Sequence, residues 1–100
     1  MLFSSLLRRR ARASSGLRPA AHVVAACQGD RTVLLDYRRA RYYGLDEVGS
    51  RIWSLLAQGE SLDGIVSRLG AEYDAPAERL REDTDRLVEQ LRTLGLLGVA

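Results

Sequence analysis

The spacing of apolar residues changes at Leu45, and this change constrains the fold more than any other feature of the chain. Before Leu45, apolar residues come in short runs separated by turn signals. After it, they recur every three or four residues. The first run, HVVAAC from His22 to Cys27, is β-prone and ends at the turn signal Gln28, Gly29, Asp30. Thr32 to Asp36 is a second strand-length run, and Tyr37, Arg38 and Arg39 form the next turn. Ala40 to Leu45 supplies a third strand with two adjacent tyrosines, Tyr42 and Tyr43. Connections this short favour an antiparallel meander.

Past Leu45 the pattern is helical. Asp46 is placed to cap a first helix whose stripe is Val48, Ile52, Leu55 and Leu56, widened by Trp53 and stopped at Gly59. Ser61 caps a second, with Leu62, Ile65, Val66, Leu69 and Tyr73 on its apolar face. Pro76 opens a third, along which Leu80, Leu87, Leu91 and Leu94 recur. Gly95 fits its C-terminal stop, and Leu96 can close a Schellman cap on Leu91. One hundred residues support one core. The expected fold is α+β, a three-stranded antiparallel sheet followed by three helices (βββααα), with the helices covering one sheet face.

Charge is distributed unevenly. All fifteen basic residues are arginine, and five of them lie in residues 1–18, which hold no acid. The other ten face thirteen acids, so residues 19–100 carry −3 and the basic balance belongs to the head. That head has the composition of a transit peptide. A disordered tail or an over-long reading frame is the plainer reading, and a basic arm touching RNA or anionic lipid is a lesser alternative. The expected organisation is an Arg-rich tail at 1–18 and one domain at 19–98. The longest stretch without charged residues, Pro19 to Gly29, is far short of the roughly 20 residues a membrane span needs. A single cysteine excludes a disulfide framework and points to the cytoplasm.

Chemistry-bearing constellations are missing. His22 and Cys27 are the only residues of their kinds and lie an odd number apart on one expected strand, hence on opposite faces. Glu82, Asp83, Asp85 and Glu89 interleave with Arg79, Arg81, Arg86 and Arg92 as a solvated helix face does. No metal set, phosphate loop or nucleophile is present, so neither an enzyme nor a cofactor is expected. What remains is a surface. The third strand lies at a sheet edge, and an extended peptide can add there as a fourth strand. Equally, Tyr42 and Tyr43 can be ordinary strand residues, one in the core and one half exposed.

Leu34-Leu35-Asp36, Arg41 through Gly49 (RYYGLDEVG) and Ile52-Trp53 together resemble the PqqD-like family, small proteins that recognise the leaders of ribosomally made, modified peptides. The likeness extends through Leu62 to Val66, Tyr73-Asp74 and Leu94 to Leu97, and is nearest to the stand-alone leader-binding proteins of lasso-peptide clusters. It implies a winged-helix-like fold without catalysis. It implies that a precursor leader docks as an added strand on the third strand, beside the third helix. A separate cysteine peptidase then removes the leader, and a macrolactam cyclase closes the ring. Leaders of this type carry a Tyr-x-x-Pro element and a following Leu. On that basis the candidate leader-binding residues are Arg39, Arg41, Tyr42, Tyr43, Leu80, Asp83, Thr84, Leu87 and Leu91. Two departures stand out: Asp46 where the family often has Asn, and Ala40 where it often has Gly, which suggests a different turn geometry. A winged-helix nucleic-acid binder is a rival, but the third helix carries four Arg against five acids. A structural subunit of an enzyme complex is another.

Overall fold

In the computed structural model, residues 15–99 are described. The elements run β1 (Leu17–Pro19), β2 (Val23–Gln28), β3 (Arg31–Asp36), β4 (Arg41–Leu45), α1 (Glu47–Ala57), α2 (Leu62–Glu72), α3 (Ala77–Thr93) and β5 (Leu97–Val99). β2, β3 and β4 form an antiparallel meander in that order, and β1 pairs with β5 in a small separate sheet. The fold is therefore the expected α+β meander followed by three helices, with a two-stranded sheet added where the first and last described strands pair.

The period-2 alternation of β3 sets which sheet face is covered. Thr32, Leu34 and Asp36 are buried, whereas Val33 and Leu35 are half-buried on the other face. Register carries the pattern across, opposing Leu34 to Tyr43 and Thr32 to Leu45. Against this face the helices supply Ile52, Leu55, Leu56, Ile65 and Leu69, all essentially without solvent exposure. Truncating any of these leucines to alanine is expected to cost about 2–5 kcal/mol.

Helix ends follow the residues that cap them. Asp46 Oδ1 accepts the Gly49 N–H at 2.8 Å, and Ser61 Oγ accepts the Gly64 N–H at 2.9 Å. Gly59 and Gly95 both take positive φ. Each sits in a Schellman arrangement: Glu60 N–H reaches Leu55 O at 3.0 Å, and Leu96 N–H reaches Leu91 O at 2.9 Å.

Three expectations change. Leu17 and Arg18, assigned to the tail, belong to β1, whose register sets Leu17 opposite Val99. Arg18 also donates to the last-turn carbonyl of Ala57 at 3.4 Å, a cation at the negative end of α1. A three-residue strand carries no periodic signal, so neither β1 nor β5 was readable. His22 precedes β2 rather than lying in it. Ala40, for which another turn geometry was expected, takes φ of 56°, the left-handed conformation that glycine favours. The remainder of the Arg-rich head, residues 1–14, lies outside the described residues. Among the described residues, no helix is long and apolar enough to cross a membrane.

Candidate functional site

β4 is the last strand of its sheet, and its outer edge pairs with no other strand among the described residues. α3 packs on α1, α2 and β5. Between it and the C-terminal half of β4 runs an open groove of about 1150 Å³. Gly44 and Leu45 line the strand side, Val48 and Ile52 the floor, and Leu80 and Leu87 the helix side. The Asp46 cap fixes the first turn of α1 to the end of β4, beside the groove. A Cβ on Gly49 would lie only 3.1 Å from Asp46 Oδ1, so glycine lets the capping carboxylate close on that turn, and it would reach ordinary contact with Leu87 Cδ2 at 3.6 Å.

The rim of the groove is ionic. Asp83 is shared between two arginines, Arg79 Nε at 3.7 Å and Arg86 Nη1 at 3.3 Å, which leaves an excess positive charge there. Where the α2–α3 connection closes one end, the Tyr73 hydroxyl donates to Glu47 Oε2 at 3.2 Å. Burial and this bond hold the Tyr73 pKa above the ordinary phenol value. Behind it Arg51 grips Glu72 with two nitrogens, at 2.8 and 2.7 Å, and holds that carboxyl below its usual range despite opposing desolvation.

The turn that launches β4 is held by Asp36, which has no solvent exposure. Its Oδ1 accepts the Arg38 and Arg39 N–H groups, both at 3.1 Å, and Oδ2 accepts Arg39 Nη1 at 3.0 Å. His22 Nε2 lies 3.9 Å from Oδ2. Burial pushes the Asp36 carboxyl upward, but the Arg39 and Arg38 hydrogen bonds and the nearby His22 outweigh it, and its pKa falls below the usual value.

Of the candidate residues, Leu80, Asp83 and Leu87 line the groove. Arg41 and Tyr42 are exposed on β4, and Tyr43 packs against the core. Thr84 and Leu91 are buried in the helical layer and do not line the groove, because they sit on the core side of α3. Arg39 is committed to Asp36, whereas Arg38 and Arg41 form no ion pair among the described residues. His22 and Cys27 have separate neighbours, Asp36 and the Thr32 hydroxyl, the latter at 3.8 Å. Among the described residues, no three His, Cys, Asp or Glu side chains are grouped to hold a metal. The strand-side and floor residues Val33, Gly44, Val48 and Ile52 were missed. Only Gly44, a glycine inside a strand, carried a signal in the sequence.

On the sheet face away from the helices, Val24, Leu35 and Tyr42 form one cross-strand row, with Ala26 and Val33 beside it. This row is solvent-facing, Val24 being 52% and Tyr42 72% exposed.

Two solved structures share this architecture. TbiB1 in complex with the TbiA(beta) leader peptide is 38% identical, with a TM-score of 0.77 over 83% of this chain and 98% of that one. A lasso peptide synthetase B1 complexed with its leader peptide is 25% identical, with a TM-score of 0.78 over the same shares. No curated protein matches the chain. The family model for coenzyme PQQ synthesis protein D (PqqD) matches residues 31–97, the whole span from β3 into β5. By that match the chain belongs to the PqqD family.

Proposed function

We propose that this protein is a non-catalytic recognition element that binds the leader of a lasso-type precursor peptide and delivers it to a separate cysteine leader peptidase. The observation that carries the reading is the unpaired edge of β4 with an apolar groove alongside it. An extended leader adds to β4 as a fourth strand. Backbone hydrogen bonds supply affinity, and side chains entering the groove supply specificity. Leu80 and Leu87 receive apolar side chains, Tyr43 backs the strand, and Asp83 with its two arginines meets polar groups at the rim. Arg41, without an ionic partner, faces the incoming chain. The two neighbours with this architecture carry leader peptides, which supports the same ligand class here.

Delivery to the peptidase rests on the opposite sheet face. The row of Val24, Leu35 and Tyr42 runs to the very strand whose edge takes the leader. A protein seated there lies beside the bound leader without blocking the groove. The cyclase acts later, on the released core peptide.

The direct test is titration of the isolated protein with a fluorescent synthetic leader of the precursor encoded beside its gene. Saturable binding without other proteins is expected, and no binding contradicts the reading. Successive β4 residues turn their N–H groups alternately inward and outward. Of Tyr42→Pro and Tyr43→Pro, one is therefore expected to keep the fold by circular dichroism and lose leader affinity, while the other disrupts the β3–β4 ladder. A folded proline variant on each position with unchanged affinity contradicts strand addition.

A further inference from the structure

Gly44 has no role that the free protein explains. Gly59 and Gly95 are needed for positive φ, and Gly49 for a close approach. Gly44 has ordinary backbone angles, and a Cβ built on it meets nothing within 4 Å. It sits in continuous register opposite Val33, so no bulge requires it either. Glycine weakens a strand interior, and it persists where a ligand comes close to the backbone. Gly98 is equally open, but it lies in β5 and does not line the groove. Gly44 and Val33 both line it.

On the outer sheet face, the neighbours of Gly44 are Val33 across the ladder, Tyr42 two residues before it and Asp46 two residues after it. The missing side chain leaves an open notch at the strand edge, with Val33 and Tyr42 as its neighbours on that face. We propose that this notch is a specificity subsite: one large apolar side chain of the docked leader lies across Gly44 and packs on Val33 and Tyr42. This deepens the strand-addition reading and rests on it. A strand added to β4 places alternate side chains on this outer face and the rest in the groove. The leader is thereby read from both sides of the sheet. A large residue opposite Gly44 covers exposed backbone and the apolar surface of Val33 beside it. A small residue at that position leaves both uncovered.

The test is a coupling experiment with the fluorescent synthetic leader and a set in which each leader residue is replaced in turn by alanine. Gly44→Val is expected to fold with unchanged or raised melting temperature, because valine suits a strand and the space is open. Its affinity for the unaltered leader is expected to fall by about tenfold or more. One alanine replacement, at a large apolar leader residue, is expected to weaken binding to the wild-type protein but not to Gly44→Val any further. A Gly44→Val protein that binds the leader as tightly as wild type overturns the subsite while leaving strand addition standing. Full additivity at every leader position overturns it as well, since glycine would then serve backbone approach alone. No binding to the wild-type protein overturns strand addition and the subsite together.

Discussion

At the level of single residues, two positions at the β3–β4 turn decide how firmly β4 is launched. Ala40 sits at φ of 56°, where a Cβ is unfavourable. Ala40→Gly is expected to stabilise the fold by about 1 kcal/mol, and to raise the melting temperature by about 4–8 °C for a domain of this size. A lowered melting temperature would mean that the methyl group makes a favourable contact. Asp36 holds the other side of the turn. Its folded pKa lies below the ordinary aspartate value, so the charged form is the one folding favours. The stability it contributes is complete above the unfolded pKa and is lost as pH falls through the folded value. Denaturant titrations between neutral and acid pH should therefore show Asp36→Asn already destabilised at pH 7, with a flatter loss of stability below pH 4 than wild type. A parallel pH profile in the variant would mean that other carboxylates carry the acid sensitivity.

At the level of elements, what the sequence revealed depended on how many residues carried each signal. The three helices and their caps were legible because Asp46, Ser61, Gly59 and Gly95 each act locally, within one turn of the residue they satisfy. The meander was legible from period and turn residues. β1 and β5 were not, since three residues hold no period and their pairing joins opposite ends of the chain. The groove was half legible. Leu80 and Leu87 follow from a helical stripe, but the same stripe contains Thr84 and Leu91, and one helix's period does not say which edge faces core and which faces an opening. Arg39 is drawn back within its own turn: its charge is taken up by Asp36, three residues before it and buried, a residue that reads as an ordinary strand end. The arginines of this region accordingly separate by role. With an acidic leader, Arg38→Glu is expected to slow association at low salt. The effect should fade as the screening length shrinks from about 10 Å at 0.1 M to about 3 Å at 1 M. Arg41→Glu, on the docking strand itself, should also speed dissociation. Arg39→Glu should lower the melting temperature first. Stopped-flow rates at two salt concentrations, with a thermal melt of each variant, separate the three, and equal effects from all would reject the division.

At the scale of the whole molecule, the first and last described strands pair with each other while the outer edge of β4 stays open. β1 pairs with β5, and Arg18 reaches the C-terminal turn of α1, so Leu17 and Arg18 belong to the domain. A protein beginning at Ser15 is expected to fold and bind the leader within about tenfold of the full chain, a difference of roughly 1.4 kcal/mol. One beginning at Ala20 loses β1 and is expected to melt at a lower temperature. Wild-type stability in that shorter protein would show that the terminal sheet is dispensable. The central claim concerns where the leader lies, and amide hydrogen exchange in the presence and absence of the synthetic leader tests it most directly. The account predicts new protection at alternate residues of β4 and along the groove side of α3, with the β2 edge exchanging as before. Protection that appears instead on β2, or on the helices away from the groove, would contradict strand addition at β4.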